Sequence, residues 1–347
     1  MIKDVCLFLL KPLSVILKSH LITGLLLIGC LMSLIAADLP DADSTEVYFD
    51  DRTDLLSLRL FTITKSNSLD VIHPPDGRII LKPNGNTGLG VGVNYKFIGL
   101  ALSYGLPKSQ SSIDKFGKTN SFDVQMSFFG KRIGLDGYLQ EYRSYYMANP
   151  QDHVDWEESY YPQVSDLRIL SIGANAFYMF NSKQFSYKAA YLRNVVQKKS
   201  AGSFSAGIYF YQDLVNSDNG FLPQEVSDSV WSAFDLKQFN ATSLGVSAGY
   251  QYTFVIRGNF FISLQATPGL GYRRLSGSTV DEGLGIVNQL AGQIQAKSAI
   301  GYEFKHFYIG AMGSLILRSF KYKDYEVDLG TEQFRIMIGR RFDVSRN

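Results

Sequence analysis

Side chains whose type and spacing could do chemistry occur at a few places along this 347-residue chain. Phe116-Gly117-Lys118-Thr119 contains the Gly-Lys-Thr end of a phosphate-binding loop, but such a loop needs an earlier glycine where Ser112 stands. Gly88, Gly90 and Gly92 look glycine-rich. They alternate within a strand pattern instead of opening a helix, which favours small lumen-facing residues over phosphate binding. After the leader, histidines stand at 73, 153 and 306, none at metal-ligand spacing from another. His153 shares a segment with Asp152, Asp155, Glu157 and Glu158, residue types that could hold Ca²⁺ or serve acid–base hydrolysis. A solvated outer loop is the simpler reading of that segment. Trp156, Tyr160 and Tyr161 in the same loop could present a sugar- or partner-binding surface, or pack down on a rim. Lys198 and Lys199 read as a loop tip able to meet lipopolysaccharide phosphates. Asp123, Asp136, Lys188, Lys297 and Glu303 offer both signs of charge on the polar face of their segments, to pair across a narrow interior or to line a weakly selective channel. The residues assign no catalytic group, no cofactor and no metal.

The elements carrying these residues have a period of two from Leu55 onward. Leu89, Val91, Val93, Tyr95 and Phe97 share one face, with glycine, asparagine and lysine between them. The same alternation recurs at Phe122–Phe128, Phe204–Phe210, Leu244–Phe254, Phe260–Ala266 and Leu290–Phe304. The apolar face is nearly free of charge through its middle, as a lipid-facing surface requires. Short connections at 96–97, 130–132, 181–184, 257–259 and 305–306 alternate with long ones at 65–86, 107–119, 143–166, 274–287 and 319–330. Aromatics band near the short side, among them Tyr95, Phe97, Phe129, Tyr178, Phe180, Phe185, Tyr187, Phe254, Phe304 and Tyr308, and read as an interfacial girdle. The expected fold is all-β, a transmembrane antiparallel up-and-down barrel of fourteen strands, with twelve as the alternative. The irregular stretch 212–240 is expected to hide one strand near Val230–Phe239, and Pro268 to impose a bulge.

Composition agrees. Charged residues are 19% and mean hydropathy is −0.03, too low for a helical membrane protein. Net charge is +2 without a dense basic block, so nucleic acid is not an expected partner. Lys3, Lys11 and Lys18 precede an apolar run from Leu21 to Ala37, the layout of a cleaved secretory signal over 1–37. An acidic periplasmic lead over 38–54 and a barrel over 55–347 follow. Both cysteines, Cys6 and Cys30, lie in the leader, so the exported chain is expected to use no disulfide. Gly339, Phe342 and Val344 resemble the C-terminal signal read by the barrel-assembly machinery, with Met337 where a polar residue is usual.

Several segments resemble a domain-of-unknown-function family, number 4421, of outer-membrane barrels from the Bacteroidetes. They are Leu89–Lys96, Phe116–Thr119, Phe185–Tyr191 and Gln197–Phe204, and the resemblance spans roughly residues 48 to 344. It implies a barrel in a Gram-negative outer membrane and carries no site residues. The expected role is a non-enzymatic channel or transport-type barrel for small solutes. A surface-interaction barrel working through its outer loops is the alternative, and an outer-membrane hydrolase a distant third.

Overall fold

The computed structural model describes residues 47–344 apart from 75, 97, 227–233 and 281–282. The expected signal segment and most of the acidic lead lie outside the described residues.

Thirteen strands form one antiparallel sheet: β2 (Leu56–His73), β3 (Gly77–Lys82), β4 (Asn86–Tyr95), β5 (Ile98–Gly105), β6 (Asn120–Phe129), β7 (Ile133–Met147), β8 (Gln163–Met179), β10 (Ala201–Asn216), β11 (Leu236–Ile256), β12 (Phe260–Thr279), β13 (Gly285–Glu303), β14 (Phe307–Tyr322) and β15 (Tyr325–Phe342). Two short strands, β1 (Phe49–Asp51) and β9 (Val195–Gln197), pair apart from it. The sheet closes where the last long strand meets the first, from Phe342↔Leu56 to Glu326↔Ile72. Closure runs through ten strands, β2-β3-β7-β8-β10-β11-β12-β13-β14-β15, while β4, β5 and β6 stand off this ring.

The expected alternation is what the sheet realises. Leu60, Leu89, Val91, Leu102, Phe204, Val246, Leu264, Leu290, Ile300 and Ile338 point outward and are exposed, and their neighbours point inward. Such a continuous apolar exterior has no place in water. A closed sheet is the β-structure able to expose it to hydrocarbon, because only closure pairs the backbone groups at both edges. Turn chemistry agrees: the β11–β12 turn takes Arg257 at φ 51° and Gly258 at φ 77°, left-handed values that tight hairpins need.

The strand count departs from fourteen for two reasons. The 65–86, 274–287 and 319–330 stretches are mostly strand: β14 and β15 are joined by Lys323-Asp324 alone. In addition, 181–184 is no tight turn. It opens an insertion over 180–200 that holds a short helix and β9, so no barrel strand follows until Ala201. No separate strand lies in the described part of 217–235, and Leu236–Phe239 begins β11. Pro268 makes no bulge. Ser247↔Gly269 and Tyr250↔Ala266 keep one register around it, and only the two intervening pairs are missing. An irregularity lies instead between Arg143 and Tyr145, where Ser144 takes φ 71°. There β7 changes neighbour, pairing β6 below and β3 above.

The interior is layered. At the end carrying the 147–163 and 216–236 connections it is an apolar core, with Leu69, Val71, Ile79, Met147, Phe239, Phe320 and Leu329, joined by Phe221, Leu222 and Phe234 from a connection folded inward. Beneath it lies a charged layer. Arg318, fully buried, gives both Nε and Nη2 to Asp213 at 3.1 Å and Nη1 to the Tyr138 hydroxyl at 2.9 Å. Ser171 donates to the same carboxylate at 2.6 Å. Removing one partner of a buried pair costs about 3–5 kcal/mol, because the other charge is left uncompensated. Asp213→Ala is therefore expected to lower urea-unfolding stability in lipid vesicles by about that amount, read from heat-modifiable gel mobility. A loss below ~1 kcal/mol would mean that this layer contributes little, since that is the scale of an exposed pair.

Candidate functional site

Below the charged layer the wall is incomplete. β3 is short, and it pairs β2 only from Leu69 to His73 and β7 only at Tyr146–Met147. Lower down, β2 carries β4 and β5 while β7 carries β6. β5 and β6 face each other without a ladder between them. Their outward residues are apolar and exposed: Leu100, Leu102 and Tyr104 on one edge, Phe122, Val124 and Met126 on the other. The seam thus opens to the exterior between two apolar edges.

The top of the seam is roofed by helix α1 (Gln110–Phe116), capped at its start by Ser109 Oγ accepting from Ser112 N–H and ended by Gly117 at φ 74°. Asn84 ties this roof to the ring: its Nδ2 donates to the Gly117 carbonyl at 2.7 Å and its N–H to Thr119 Oγ1 at 2.8 Å. Thr119 in turn donates to the Ser144 carbonyl at the point where β7 bends. Lys108 donates to the Asn84 carbonyl, and half-burial lowers its ammonium to about 8. The Gly-Lys-Thr run is therefore a helix end with its threonine used to hold the roof.

Behind the seam lies a cavity of about 860 Å³. β2 supplies Arg59, Phe61, Ile63 and Lys65, which point inward by parity with the buried Leu69 and Val71. Gly90 and Gly92 on β4 let two of them lie flat against the wall. A Cβ at Gly90 would come within 2.3 Å of the Phe61 ring, and one at Gly92 within 2.4 Å of Arg59 Nε. β15 adds Arg335, whose guanidinium sits 4.6 Å from the Phe61 ring centroid. Lys65 reaches Asp123 on β6 at 2.6 Å, and Gln140 donates to the same carboxylate at 2.6 Å. Lys297 on β13 reaches Asp136 on β7 at 2.6 Å and the Tyr187 hydroxyl at 2.7 Å.

The floor is the 180–200 insertion. Helix α2 (Tyr187–Tyr191) buries Tyr187, Ala190 and Tyr191 against Phe129, Phe261 and Ala299 of the wall. Tyr187 and Phe129 rings lie 4.6 Å apart. Arg193 pairs with Glu303, Arg341 donates to Glu303 at 2.8 Å, and Arg341 also donates to the Arg193 carbonyl at 2.7 Å. Asn94 Nδ2 donates to the Leu192 carbonyl at 2.7 Å. β1 covers the segment from below through its pairing with β9. The last part of the acidic lead is thus structured, with Asp50 and Asp51 opposite Val196 and Val195.

Of the expected lumen charges, Asp123, Asp136, Lys297 and Glu303 point inward and are paired. Lys188 lies on α2 in the insertion, not on a strand. The paired charges form three separate clusters, not one row along a pore. The expected girdle divides: Tyr95, Tyr178, Phe180, Phe254, Phe304 and Phe307 are exposed, whereas Phe129, Phe185, Tyr187 and Tyr308 are buried inside. Phe97 lies outside the described residues. Lys198 and Lys199 sit at the short-turn end, where both backbone N–H groups donate to the Tyr48 carbonyl, and not in a loop at the opposite end. Tyr161 stacks on Phe116 at 5.3 Å, while Trp156 meets Tyr160 edge-on at 5.5 Å and donates its indole N–H to the Tyr160 carbonyl. His153 Nε2 lies 2.8 Å from the Arg78 carbonyl and its ring abuts Phe234. Among the described residues no group of His, Cys, Asp and Glu could hold a metal ion. Arg59, Arg193, Arg335 and Arg341 did not stand out in the sequence. The signal for Arg59 and Arg335 was parity, since each falls on the inward set of its strand.

A closed antiparallel barrel with a filled lumen and a side-facing cavity is the class that fold and site define. The chain belongs to the family described as "Domain of unknown function (DUF4421)", whose model matches residues 41–342. No curated protein matches it. Among solved structures it is similar to the outer membrane protease OmpT from Escherichia coli, at 8% identity and TM-score 0.37, covering 84% of this chain and 98% of that one. It is similar also to the translocator domain of the autotransporter NalP from Neisseria meningitidis, at 8% identity, TM-score 0.33, and coverage of 84% and 90%. A third is the Pseudomonas putida toluene transporter TodX, at 7% identity, TM-score 0.27, and the same coverage.

Glu303 neutralises two buried arginines at once, one on the insertion and one on the wall. Glu303→Ala is expected to unseat the insertion, so that trypsin cuts the folded barrel between Lys183 and Lys199 at least tenfold faster, by mass spectrometry of the fragments. An unchanged cleavage rate would show that aromatic packing alone holds the floor.

Proposed function

We propose that this chain is an integral outer-membrane barrel of a Gram-negative cell that exchanges small lipophilic molecules with the bilayer through the β5–β6 seam, not along the barrel axis. The observation that carries the reading is the combination of two filled ends with one unladdered side. The apolar core packs one end and the 180–200 insertion the other. The cavity between them meets the exterior between two edges whose outward side chains are apolar. The location is supported by the exposed apolar exterior and by the export signal expected over 1–37; the short-turn end is then periplasmic. Among the described residues no helix is long and apolar enough to cross a membrane, so the strands must do it.

Transport-type action fits better than a porin-like channel, because ions moving along the axis would have to displace buried Phe, Leu and Val side chains. A cavity of this size is in the range that holds one small organic molecule, about 300–1,000 Å³.

The chain has no cysteine after Cys30, so Gln295→Cys places a single thiol on the cavity wall of the mature barrel. In liposomes this thiol is expected to react with N-dodecylmaleimide from the lipid phase at least tenfold faster than with a membrane-impermeant sulfonated maleimide. Planar-bilayer recordings of the same protein should show no steady conductance. Preferential reaction with the aqueous reagent, or an ohmic pore, would overturn the side-opening reading.

A further inference from the structure

The two arginines of the cavity, Arg59 and Arg335, have no carboxylate partner among the described residues. Lys65 is held by Asp123 and Lys297 by Asp136. Arg59 is 6% exposed; its Nη1 donates to the Leu192 carbonyl at 3.3 Å and its guanidinium faces the Tyr308 hydroxyl, but it meets no carboxylate among the described residues. Arg335 rests its guanidinium over the Phe61 ring and makes no hydrogen bond or ion pair with the described residues. The Nε–H of each is buried without an acceptor. Neighbouring strands bring them together: Arg335 stands opposite Ile63 and Gly339 opposite Arg59, with Phe61 between on β2. Arg59, Lys65 and Asp123 are among the charged groups near enough to act on Arg335.

A guanidinium inside a membrane protein is expensive unless an anion or a carbonyl meets it. Here Arg335 rests on the Phe61 ring, Arg59 lies two residues from Phe61 on the same inward set of β2, and the two like charges repel. Arginine's planar fork fits carboxylate and phosphate oxygens in pairs. The same cavity leads out between Leu102 and Tyr104 on one edge and Val124 and Met126 on the other. One molecule satisfies both ends of this path: an anionic head for the arginines and an apolar chain for the seam.

We infer that the cavity binds an anionic amphiphile, its carboxylate or phosphate oxygens received by Arg335 and Arg59 and its acyl chain passing out between β5 and β6. This deepens the side-opening reading and rests on it. Asp123 is part of the same device. It holds Lys65 beside the site, so an arriving anion can draw Lys65 away from it.

The test uses the same mature Gln295→Cys barrel, whose one thiol lies on the cavity wall, in liposomes and measures how well added lipids slow its reaction with N-dodecylmaleimide. Hexadecyl phosphate and palmitate supply the two head groups, hexadecanol the neutral chain, and inorganic phosphate the head without a chain. The anionic lipids are expected to protect at concentrations at least tenfold below hexadecanol. Arg335→Gln is expected to erase that preference while leaving hexadecanol unchanged, since one charge-assisted pair is worth about tenfold or more. Its folding is checked by heat-modifiable mobility, and Arg59→Gln on the adjacent strand supplies a second variant if the first does not fold. Equal protection by hexadecanol, or a preference that survives both substitutions, would overturn the head-group site and leave the side opening standing. Protection by inorganic phosphate as strong as by hexadecyl phosphate would overturn the amphiphile in favour of a free anion. If the lipid-phase reagent never reaches the thiol, the side opening fails and the inference with it.

Discussion

Backbone pairing is the constraint from which the rest of this structure follows. In hydrocarbon no water can satisfy an N–H or C=O, so each strand must find a neighbour on both sides. The chain meets this demand almost everywhere, and at full length where β15 joins β2. Between β2 and β7 it does so with one short strand, β3, at one end only. Ser144 makes this possible: its left-handed backbone turns β7 away from β6 and onto β3. Below that point the wall needs three more strands, and it has them in β4, β5 and β6. It lacks the ladder that would join the last two. Irregular or unpaired backbone persists at membrane depth only where it lines a cavity or is covered. The cavity behind the seam is therefore a condition for the seam to exist.

The same parity that turns leucine and valine outward turns arginine, lysine and aspartate inward, and an enclosed interior makes each of them demand a partner. The chain supplies partners from far along the sequence. Asp213 on β10 meets Arg318 on β14, Asp136 on β7 meets Lys297 on β13, and Asp123 on β6 meets Lys65 on β2. The first two pairs cross the lumen between distant strands, and the third ties the two sides of the seam together. The insertion over 180–200 works by the same rule. Glu303 and Arg341 would be a wall pair near the short-turn end, and Arg193 enters as a third member, so the floor is keyed electrostatically as well as packed by Tyr187 and Phe129.

The barrel was legible because period-two alternation is imposed on every strand by lipid on one side and lumen on the other. Leu89 to Tyr95, Leu244 to Phe254 and Leu290 to Phe304 each declared its faces correctly. What failed was reading short segments by the same rule. The stretch 181–184 reads as a short turn in the sequence, but it opens an insertion in which Tyr187–Tyr191 is helical, since so brief a run carries no information about its neighbours. Lengths also misled. Polar residues in 65–86 and 319–330 suggested loops, but a strand extending beyond the bilayer no longer needs an apolar outer face. The site was half visible: Asp123, Asp136, Lys297 and Glu303 were assigned inward by parity, whereas Arg59 and Arg335 are distinguished by the carboxylate that neither meets. A missing partner cannot be seen without knowing what stands opposite. Gly90 and Gly92 were read correctly as close-packing residues, but which side chains pack on them is a matter of register between β2 and β4.

Closure at both ends and opening at one side are a single design under these forces. A wide polar lumen of this circumference would fill with water and leave Arg59 and Arg335 solvated instead of buried without a carboxylate. Filling the ends removes that water, which raises the electrostatic value of whatever anion reaches the remaining space. With both ends filled, the unladdered β5–β6 side is the approach that the proposed function uses. A solute arriving from hydrocarbon must carry an apolar portion, and one that stays must answer the arginines. Gly90 and Gly92 keep Phe61 and Arg59 flat against the wall, so the room available for such a solute is set by residues without side chains. An added methyl group at either glycine would push its neighbour into the cavity and shrink the space before touching any group that binds.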